Sequence, residues 1–515
     1  MINRKRIVIL GGGTSGWMTA AALSKKLSGN DYEITLVESD QIATVGVGEA
    51  TIPHIRAFNQ MLGIDENEFM QAVGATYKLA IKFEDWGTEG SEYFHPFGLG
   101  GHDINGVEFQ HYFLRLQSQG IDLDFGDYST AVVAAKNHRF AYPSEDNESP
   151  LAEYGYAFHI DASLYGQYLR KYAEANGVQR VEGRVSQVVC SEETGDIEKL
   201  TLESGQELTG ALYIDCSGFR SLLLAEALDT GFDDWSDWLV CDRAIAAPTS
   251  AMDAPPPYTR SKAVKNGWLW QIPLQHRTGN GYVYSSRFEA DASAENLLRG
   301  ELGLTELNSA TRVKFTAGKR KYAWSKNCVG IGLASGFLEP LESTSIYLVQ
   351  IGINHLLDCL PRGENYEIER DKYNREMNLE YERIRDFIIL HYHLNKRKDS
   401  PLWEYCAQMA IPQSLEEKIN LFRESAQVWT YRSGLFMSPS WLAVYFGQGM
   451  KCDSYNLRAN QNETQVLAQY LQSQKTQIYD EVSKMTTHNE ALNISKESEK
   501  FYPGAALNLY GANYE

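Results

Sequence analysis

The pattern of hydrophobic and polar positions opens with a β-α-β unit. Residues 6–10 are apolar or β-branched and predict a buried parallel strand, and a helix over residues 17–27 follows a glycine-rich turn. A second strand over residues 33–37 ends at Glu38. Later strands are predicted over residues 184–190, 198–203, 211–215, 282–288 and 328–332, with Asp, Gly and Ser turns between them. This order of elements indicates an α/β fold.

The pattern changes near residue 346, where helical spacing replaces the strand signals. Helices are predicted over residues 346–359, 367–392 and 463–484. We therefore expect an α/β module over residues 1–345, with an insertion at about residues 55–150, fused to a mainly helical module over residues 346–515.

Composition narrows the class of protein. The 515-residue chain has a formal net charge of −19 and no run of Lys and Arg, which argues against a nucleic-acid partner. Its seven cysteines are scattered without a C-x-x-C pair, so we expect reduced thiols in a cytoplasmic protein. No apolar run approaches the ~18–20 residues that cross a bilayer, so we expect no membrane span.

Gly11, Gly13 and Gly16 form a G-x-G-x-x-G fingerprint between the first strand and the first helix. The first glycine permits a tight turn, the second lets a pyrophosphate approach the backbone, and the third lets helix and strand pack closely. We expect a dinucleotide here, with Glu38 accepting hydrogen bonds from the adenosine ribose. The fingerprint alone does not separate a nicotinamide from a flavin.

Three further segments carry candidate chemistry: Tyr77-Lys78, Trp268-Leu-Trp-Gln-Ile-Pro273 and Phe337-Leu-Glu-Pro-Leu-Glu-Ser-Thr-Ser345. With the glycine loop, they resemble a flavin-dependent halogenase of the tryptophan halogenase family. The resemblance implies an FAD-binding, flavin monooxygenase-like α/β module fused to a largely α-helical substrate module.

The flavin assignment rests on two later segments. Asp215-Cys-Ser-Gly218 and residues 330–340 are similar to the distal cofactor motifs of flavin monooxygenase-like proteins. Residues 45–53 resemble the strap that these halogenases lay against the flavin. The resemblance assigns further cofactor contacts to Thr14, Ser15, Gly46, Gly48, Glu49, Ala50, Asp215, Gly336 and Ile346.

As the resemblance implies, reduced flavin captures O2 as a C4a-hydroperoxide, which chloride or bromide attacks to give hypohalous acid. A lysine amine can carry that oxidant by a hydrogen bond or as a haloamine. The match over residues 77–86 assigns this role to Lys78. Spacing leaves Lys82 open, because residues four apart share a face in a helix and in a strand.

Glu342 matches the family's catalytic carboxylate, which polarises the oxidant and removes a proton from the cationic ring intermediate. A carboxylate that stabilises the start of the next helix is the alternative, and both roles can hold. The N–H groups of Thr344 and Ser345 are expected to bind the halide. Ser345 stands where the family has glycine, and a side chain disfavours positive φ, so we expect an altered halide affinity or size preference.

Trp268 and Trp270 match the family's W-x-W-x-I-P motif. Residues two apart lie on one face of a strand. The resemblance places both rings, with Pro340, as a wall on the flavin side of the oxidant passage, where they disfavour hydroxylation. Ordinary aromatic core packing is the alternative reading.

The substrate site is expected at His95-Pro-Phe97, which resembles the segment whose rings flank an indole, and at Trp441, which matches the tryptophan on the opposite face. Members that act on free tryptophan place a glutamate five residues before that tryptophan, where this chain has Phe436. An ammonium group would find no partner there, so we expect indole or an indole with a masked amine, with free tryptophan as the alternative.

Two other functions compete with halogenation. A flavin-dependent aromatic monooxygenase explains the cofactor motifs but not Lys78 with Glu342, and a non-catalytic indole-binding flavoprotein is favoured by Ser345 alone. The expected partners are a small indole-type substrate and a separate flavin reductase that supplies FADH2, and a homodimer is left open. No metal is assigned, because His391 and His393 lack a third ligand nearby.

Overall fold

A six-stranded sheet carries the predicted β-α-β unit. The computed structural model describes residues 5–27, 32–41, 48–307, 309–361, 366–429, 431 and 434–494, so Gly46 lies outside the described residues. The strands lie in the order Trp324–Ser325, Cys328–Gly330, Leu212–Asp215, Lys5–Leu10, Tyr32–Glu38 and Gln179–Glu182. All neighbours are parallel except the first pair. Leu10, Glu38 and Asp215 therefore end at the same edge of the sheet.

The first helix, Thr14–Lys26, begins inside the glycine loop, earlier than the predicted start at residue 17. It packs against helices Ala162–Ala175 and Ser345–Asp358. Because neighbours cover it on several sides, Gly16 through Ser24 are all buried. The last of these neighbours belongs to the helical part of the chain, so both parts share one core.

A seven-stranded sheet faces the edge of the six-stranded sheet at which Leu10, Glu38 and Asp215 end. We call the six-stranded sheet the flavin sheet and this edge its loop edge. Its order is Thr311–Lys314, Arg243–Ser250, Arg277–Tyr284, Gly267–Pro273, Tyr258–Val264, Ala80–Glu84 and Glu92–Pro96. The pattern predicted only one of these, at residues 282–288, and that strand in fact ends at Tyr284. Gly279 and Gly281 near its start weaken the strand signal. Close packing requires glycine at Gly281, where a Cβ would lie 2.0 Å from the Trp270 ring, whereas a Cβ at Gly279 would lie 3.3 Å from the Gly48 backbone.

A small antiparallel sheet presents the candidate lysine. It consists of Gly48–Ala50, Ala157–Asp161 and Thr76–Lys78. Lys82 belongs to the next strand, Ala80–Glu84, which pairs in the seven-stranded sheet. Lys78 and Lys82 therefore lie in different sheets and share no face. This break between residues 78 and 80 is what the sequence spacing did not reveal.

The predicted helices of the last part are confirmed, with Ser345–Asp358, Glu367–His393 and Thr464–Lys484 close to the expected bounds. The other helices are His54–Leu62, Glu66–Val73, Phe109–Ser118, Thr130–Lys136, Asp291–Glu301, Pro401–Gln408, Gln413–Ser425, Ser438–Gly447 and His488–Ile494. The remaining strands are Arg139–Phe140 with Thr486–Thr487, Val185–Cys190 with Ile197–Leu202 and Glu207–Leu208, and Phe232–Asp234 with Gly318–Arg320 and Gly336–Phe337. In the part of the chain that the structure describes, no helix has both the length and the apolarity to span a bilayer.

Candidate active site

A cavity of about 560 Å³ opens at the loop edge of the flavin sheet. The glycine loop forms one wall, and its geometry requires glycine: Gly11 has φ 115°, and a Cβ there would lie 2.3 Å from the Cys216 carbonyl oxygen. A Cβ at Gly13 would meet nothing within 4 Å, so this residue presents bare backbone to the cavity. An exposed loop backbone at a helix start is the cradle that a pyrophosphate needs, and these residues fit FAD.

The other predicted cofactor residues divide into cavity-lining and supporting groups. Residues that line the cavity are Thr14, Ser15, Glu38, Gly48, Glu49, Ala50, Gly336 and Ile346. Glu38 is also held by Arg180, whose Nε lies 2.6 Å from its carboxylate. Burial raises the pKa of Glu49 to about 7. Asp215 and Gly16 lie behind the wall, and Asp215 accepts hydrogen bonds from the N–H groups of Ser217, Leu223 and Leu224, so it builds the loop that follows its strand.

Trp268, Trp270 and Pro340 line the same cavity, as predicted for the flavin-side wall. The Trp270 ring lies flat against Gly281, where a Cβ would approach the ring to 2.0 Å. The two tryptophan rings are 6.1 Å apart. Both rings are nine-tenths or more buried, so they belong to the aromatic core, and their role as a flavin-side wall stays a prediction.

The segment from Phe337 to Ser345 separates this cavity from Lys78. Glu342 and Ser343 take left-handed backbone, with φ of 69° and 59°, and such residues cost roughly 1–3 kcal/mol each. Helix Ser345–Asp358 begins after them, so Glu342 stands before the helix rather than in its first turn. Thr344 and Ser345 line the cavity where the first N–H groups of that helix have no intrahelical acceptor.

The structure contradicts one part of the expectation for Ser345, that its backbone needs positive φ, whereas the effect of its side chain on halide stays a prediction. Ser345 is the first helical residue, and it is not among the residues with positive φ. Serine therefore replaces the family's glycine without backbone strain. The support that Ser345 gave to a non-catalytic flavoprotein is therefore limited to the side chain that it adds to the cavity.

Lys78 is fully buried on the other side of the segment. Its ammonium donates to the Thr51 carbonyl at 3.0 Å and to Ser343 Oγ at 2.9 Å, and it lies 5.1 Å from the centre of the Phe97 ring. Burial lowers the pKa of Lys78 to about 7, although the nearby Glu342 carboxylate opposes the shift. Lys82 instead lies near the surface and pairs with Glu84 and Glu92. The structure thus distinguishes the two lysines.

Glu342 lies between two histidines. His95 Nδ1 is 2.6 Å from Oε2, and His391 Nε2 is 2.9 Å from Oε1, although this second N–H is poorly aligned for a hydrogen bond. Burial alone would raise the pKa of Glu342, but the neighbouring His95 and His391 hold it well below its usual range. Glu342 is therefore an ionised carboxylate in a dry site.

The predicted substrate rings meet in one aromatic cluster. Phe436 stacks on Phe387 with ring centres 3.9 Å apart, and Trp441 packs edge-on against Phe387 at 5.3 Å. His95 lies 5.5 Å from Phe387 and 6.0 Å from Phe436. Phe97 is placed nearer the lysine. Three of the four predicted residues thus converge, and they do so around a ring that the sequence reasoning did not name.

His391 and Phe387 are the residues that the sequence reasoning missed. They stand four apart on helix Glu367–His393 and therefore share one face, so Phe387 reaches the aromatic cluster while His391 reaches Glu342. The His-x-His pattern gave a signal, but only toward a metal. Within the described ranges, no group of three or more His, Cys, Asp or Glu side chains could hold a metal ion.

Comparisons with known proteins show the family and the fold of the chain. The family model of tryptophan halogenase matches residues 6–464. Tryptophan 6-halogenase ThaL of Streptomyces albogriseolus is 37% identical over 84% of this chain and 83% of its own length. Two solved flavin-dependent halogenases share the fold with a TM-score of 0.92: BrvH of Brevundimonas sp. BAL3, at 42% identity over 96% of this chain and 100% of that one, and Xcc4156 of Xanthomonas campestris, at 43% identity over 96% and 98%.

These findings define a flavin-dependent halogenase fold. The chain belongs to the tryptophan halogenase family, whose members are oxidoreductases that use a flavin and a halide.

Proposed function

We propose that this chain halogenates an indole ring, using FADH2 from a separate flavin reductase, O2, and chloride or bromide. The observation that carries the proposal is the two-residue partition at Glu342 and Ser343. Both residues line the FAD-sized cavity, and both also contact groups beyond it, since Glu342 bonds His95 and Ser343 accepts from Lys78. Hypohalous acid made in the cavity would therefore have to pass only Glu342 and Ser343 to reach Lys78.

FAD would lie on the glycine loop against Trp268 and supply the reaction of reduced flavin with O2 and halide. The chain's own residues would act on the product, hypohalous acid. The N–H groups of Thr344 and Ser345 would hold the halide, because a helix start attracts anions. The buried tryptophans would exclude the aromatic substrate from the flavin side, which keeps hydroxylation from competing.

The halogen-transfer step then uses Lys78 and Glu342. Lys78, as an ammonium, hydrogen-bonds the oxygen of hypohalous acid while the ring carbon attacks the halogen. The carbon–halogen bond forms, the oxygen–halogen bond breaks, and the oxygen leaves as water with a proton from Lys78. Glu342 takes the proton from the ring, and proton transfer back to Lys78 restores both groups. A lysine whose pKa lies near 7 can donate and recover a proton at neutral pH.

Two candidates for the substrate follow from different observations. The first candidate is free tryptophan, because the relatives are named as tryptophan halogenases. The second candidate is indole, or an indole without a free ammonium group, which Phe436 predicts because its apolar ring offers an ammonium group no partner. The charges near the cluster do not separate the candidates, because Lys418 pairs with Asp386 at 3.4 Å and Arg383 with Glu380 at 3.9 Å.

Product analysis tests the function and separates the candidates. Purified protein would be incubated with FAD, a flavin reductase, NADH and bromide, and with indole or free tryptophan at matched concentrations. Brominated product identified by mass supports the proposal, whereas oxygenated product would establish the aromatic monooxygenase instead. Equal or faster turnover of free tryptophan would select the first candidate, and a preference for indole of about tenfold in kcat/KM or more would select the second.

A further inference from the structure

A second carboxyl group, Glu339, lies in the same segment and has no part in the steps above. Its side chain is 1% exposed, and it lines the same cavity as Glu342, Thr344 and Ser345. The sequence motif of the segment does not distinguish Glu339 from Glu342 chemically. The groups that surround each carboxyl group distinguish them.

Glu339 is enclosed by uncharged groups from three elements. The Tyr392 hydroxyl, on helix Glu367–His393, lies 3.0 Å and 3.1 Å from its two oxygens. The indole N–H of Trp268 lies close by without an aligned hydrogen bond. The thiols of Cys241 and Cys406 complete the surroundings. Among the described residues, no Lys, Arg or His pairs with Glu339.

When Glu339 carries a proton, Glu339, Tyr392 and Cys241 can form a chain of hydrogen bonds in which each hydroxyl group donates once. The Tyr392 hydroxyl also lies 3.6 Å from Cys241 Sγ and can donate there. The carboxylic acid of Glu339 would then donate to the Tyr392 oxygen. A buried carboxyl group without a cationic partner is uncharged because desolvation disfavours the ionised form. Burial raises the pKa of Glu339 to about 8, and the contacts with Tyr392 and Trp268 only partly offset it.

We propose that Glu339 stays protonated in the working enzyme and so adds no further negative charge beside the Glu342 carboxylate, which lets a halide ion occupy the N–H groups of Thr344 and Ser345. This inference rests on the proposed function, since it takes halide as a substrate. Ionisation of Glu339 would add a second negative charge to that of Glu342, and the anion would be repelled more strongly in a medium of low dielectric constant. Glu339 is thus a positioning residue for halide and takes no part in halogen transfer.

The expected pH dependence follows from the sign of the charge change. Glu339 is neutral below its pKa and negative above it, so halide affinity should fall as the pH rises through about 8. Glu49 and Lys78 also titrate near pH 7, at the cavity and behind the partition, and they change the charge in both wild type and a Glu339 variant. Comparing the two proteins isolates Glu339.

The first measurement is the infrared spectrum of the protein with oxidised FAD bound, which needs no turnover. We expect the carbonyl band of a protonated carboxylic acid near neutral pH, its loss above pH 9, and its absence from Glu339→Gln. Tyr392→Phe removes the hydrogen-bond partner but keeps the acid, so the band should shift and remain. If wild type and Glu339→Gln show the same spectra in the carboxylic acid region, Glu339 is ionised and the inference is overturned.

The second measurement is bromide binding to the same complexes, followed by the line width of the bromide NMR signal. Glu339→Gln should bind bromide like wild type at pH 7. The wild-type dissociation constant should rise at least about fivefold between pH 7 and 9 relative to that of the variant, as expected for a like charge in one cavity. Matching pH curves would overturn the inference while leaving bromination, assayed separately, intact. No bromide binding in either protein would also overturn it, and failed bromination would then remove the proposed function as well.

Discussion

The segment from Phe337 to Ser345 holds two buried carboxyl groups with opposite surroundings, Glu342 at the end nearer Lys78 and Glu339 at the end nearer the flavin. At the lysine end, Glu342 lies between His95 and His391, within reach of the Lys78 charge. At the flavin end, Glu339 meets a phenol, thiols and an indole. Burial alone raises the pKa of both groups, and only the neighbours decide that Glu342 ionises while Glu339 is held near a pKa of 8.

This contrast explains how one short segment can serve two sides of a reaction. Binding of an anion such as halide is favoured by a neutral Glu339 at the flavin end, whereas a developing ring cation needs a fixed negative charge at the lysine end. Helix Glu367–His393 supports both, because consecutive residues His391 and Tyr392 contact the two carboxyl groups. Mutations at the lysine end should therefore act on chemistry, and those at the flavin end on halide.

The largest effect is expected from Lys78→Ala. Removing the amine should lower bromination by at least about 10³-fold, because the halogen carrier and proton donor are lost together. FAD binding and the formation of hypohalous acid, measured by flavin absorbance and a chemical trap for the oxidant, should persist. The matched control is Lys82→Ala, which removes the partly buried ion pairs with Glu84 and Glu92, so activity should stay near wild type and stability should fall by about 1 kcal/mol or less per pair. If the two variants exchange these outcomes, the catalytic amine is misplaced.

Glu342→Gln should lower kcat by roughly 10²-fold, as expected when a charged group that also takes a proton becomes neutral. Steady-state bromination at saturating substrate measures this effect. Bromide affinity should change little, in contrast to the Glu339 comparison. An undiminished kcat would leave Glu342 with only a structural role before the helix.

His391→Phe should lower kcat by about tenfold through Glu342, since one of the two histidines that keep the carboxylate ionised is lost. The pKa of Glu342 is depressed, so activity is lost only as the pH falls through that low value. Removing His391 should move this acid limb of the kcat profile to higher pH. His391→Gln restores a polar N–H and should recover part of the shift. A fall in kcat with an unmoved acid limb would show that His391 serves packing alone.

The smallest effect is expected at Phe436, which lies beyond the lysine end. Phe436→Glu should raise kcat/KM for free tryptophan relative to indole by about tenfold, the equivalent of ~1.4 kcal/mol, because a carboxylate can pair with the ammonium group. The ratio of the two brominated products in a competition assay measures it. Phe436→Gln adds polarity without charge and should shift the ratio less. An unchanged ratio in the glutamate variant would place the amine anchor elsewhere.

Several features of the site could be predicted from the sequence because local backbone chemistry determines them. The glycine loop needs Gly11 wherever the strand and helix meet, and the β-α-β order follows from short-range periodicity. The family motifs likewise placed Trp268, Trp270, Thr344 and Ser345 at the flavin cavity. Most strands of the seven-stranded sheet gave no clear signal, because their glycines and alternating burial depend on partners distant in sequence.

Only the tertiary structure decided the burial, the partners and the charge of each titratable group in the site. Lys78 and Lys82 are equivalent in spacing, yet one is buried and the other is paired near the surface, because the chain changes sheets between them. His391 read as a packing residue until the long helix brought it to Glu342. The two glutamates differ only in neighbours drawn from segments far apart in the chain. Local pattern specifies backbone geometry, whereas the charge of a buried group depends on which distant side chains surround it.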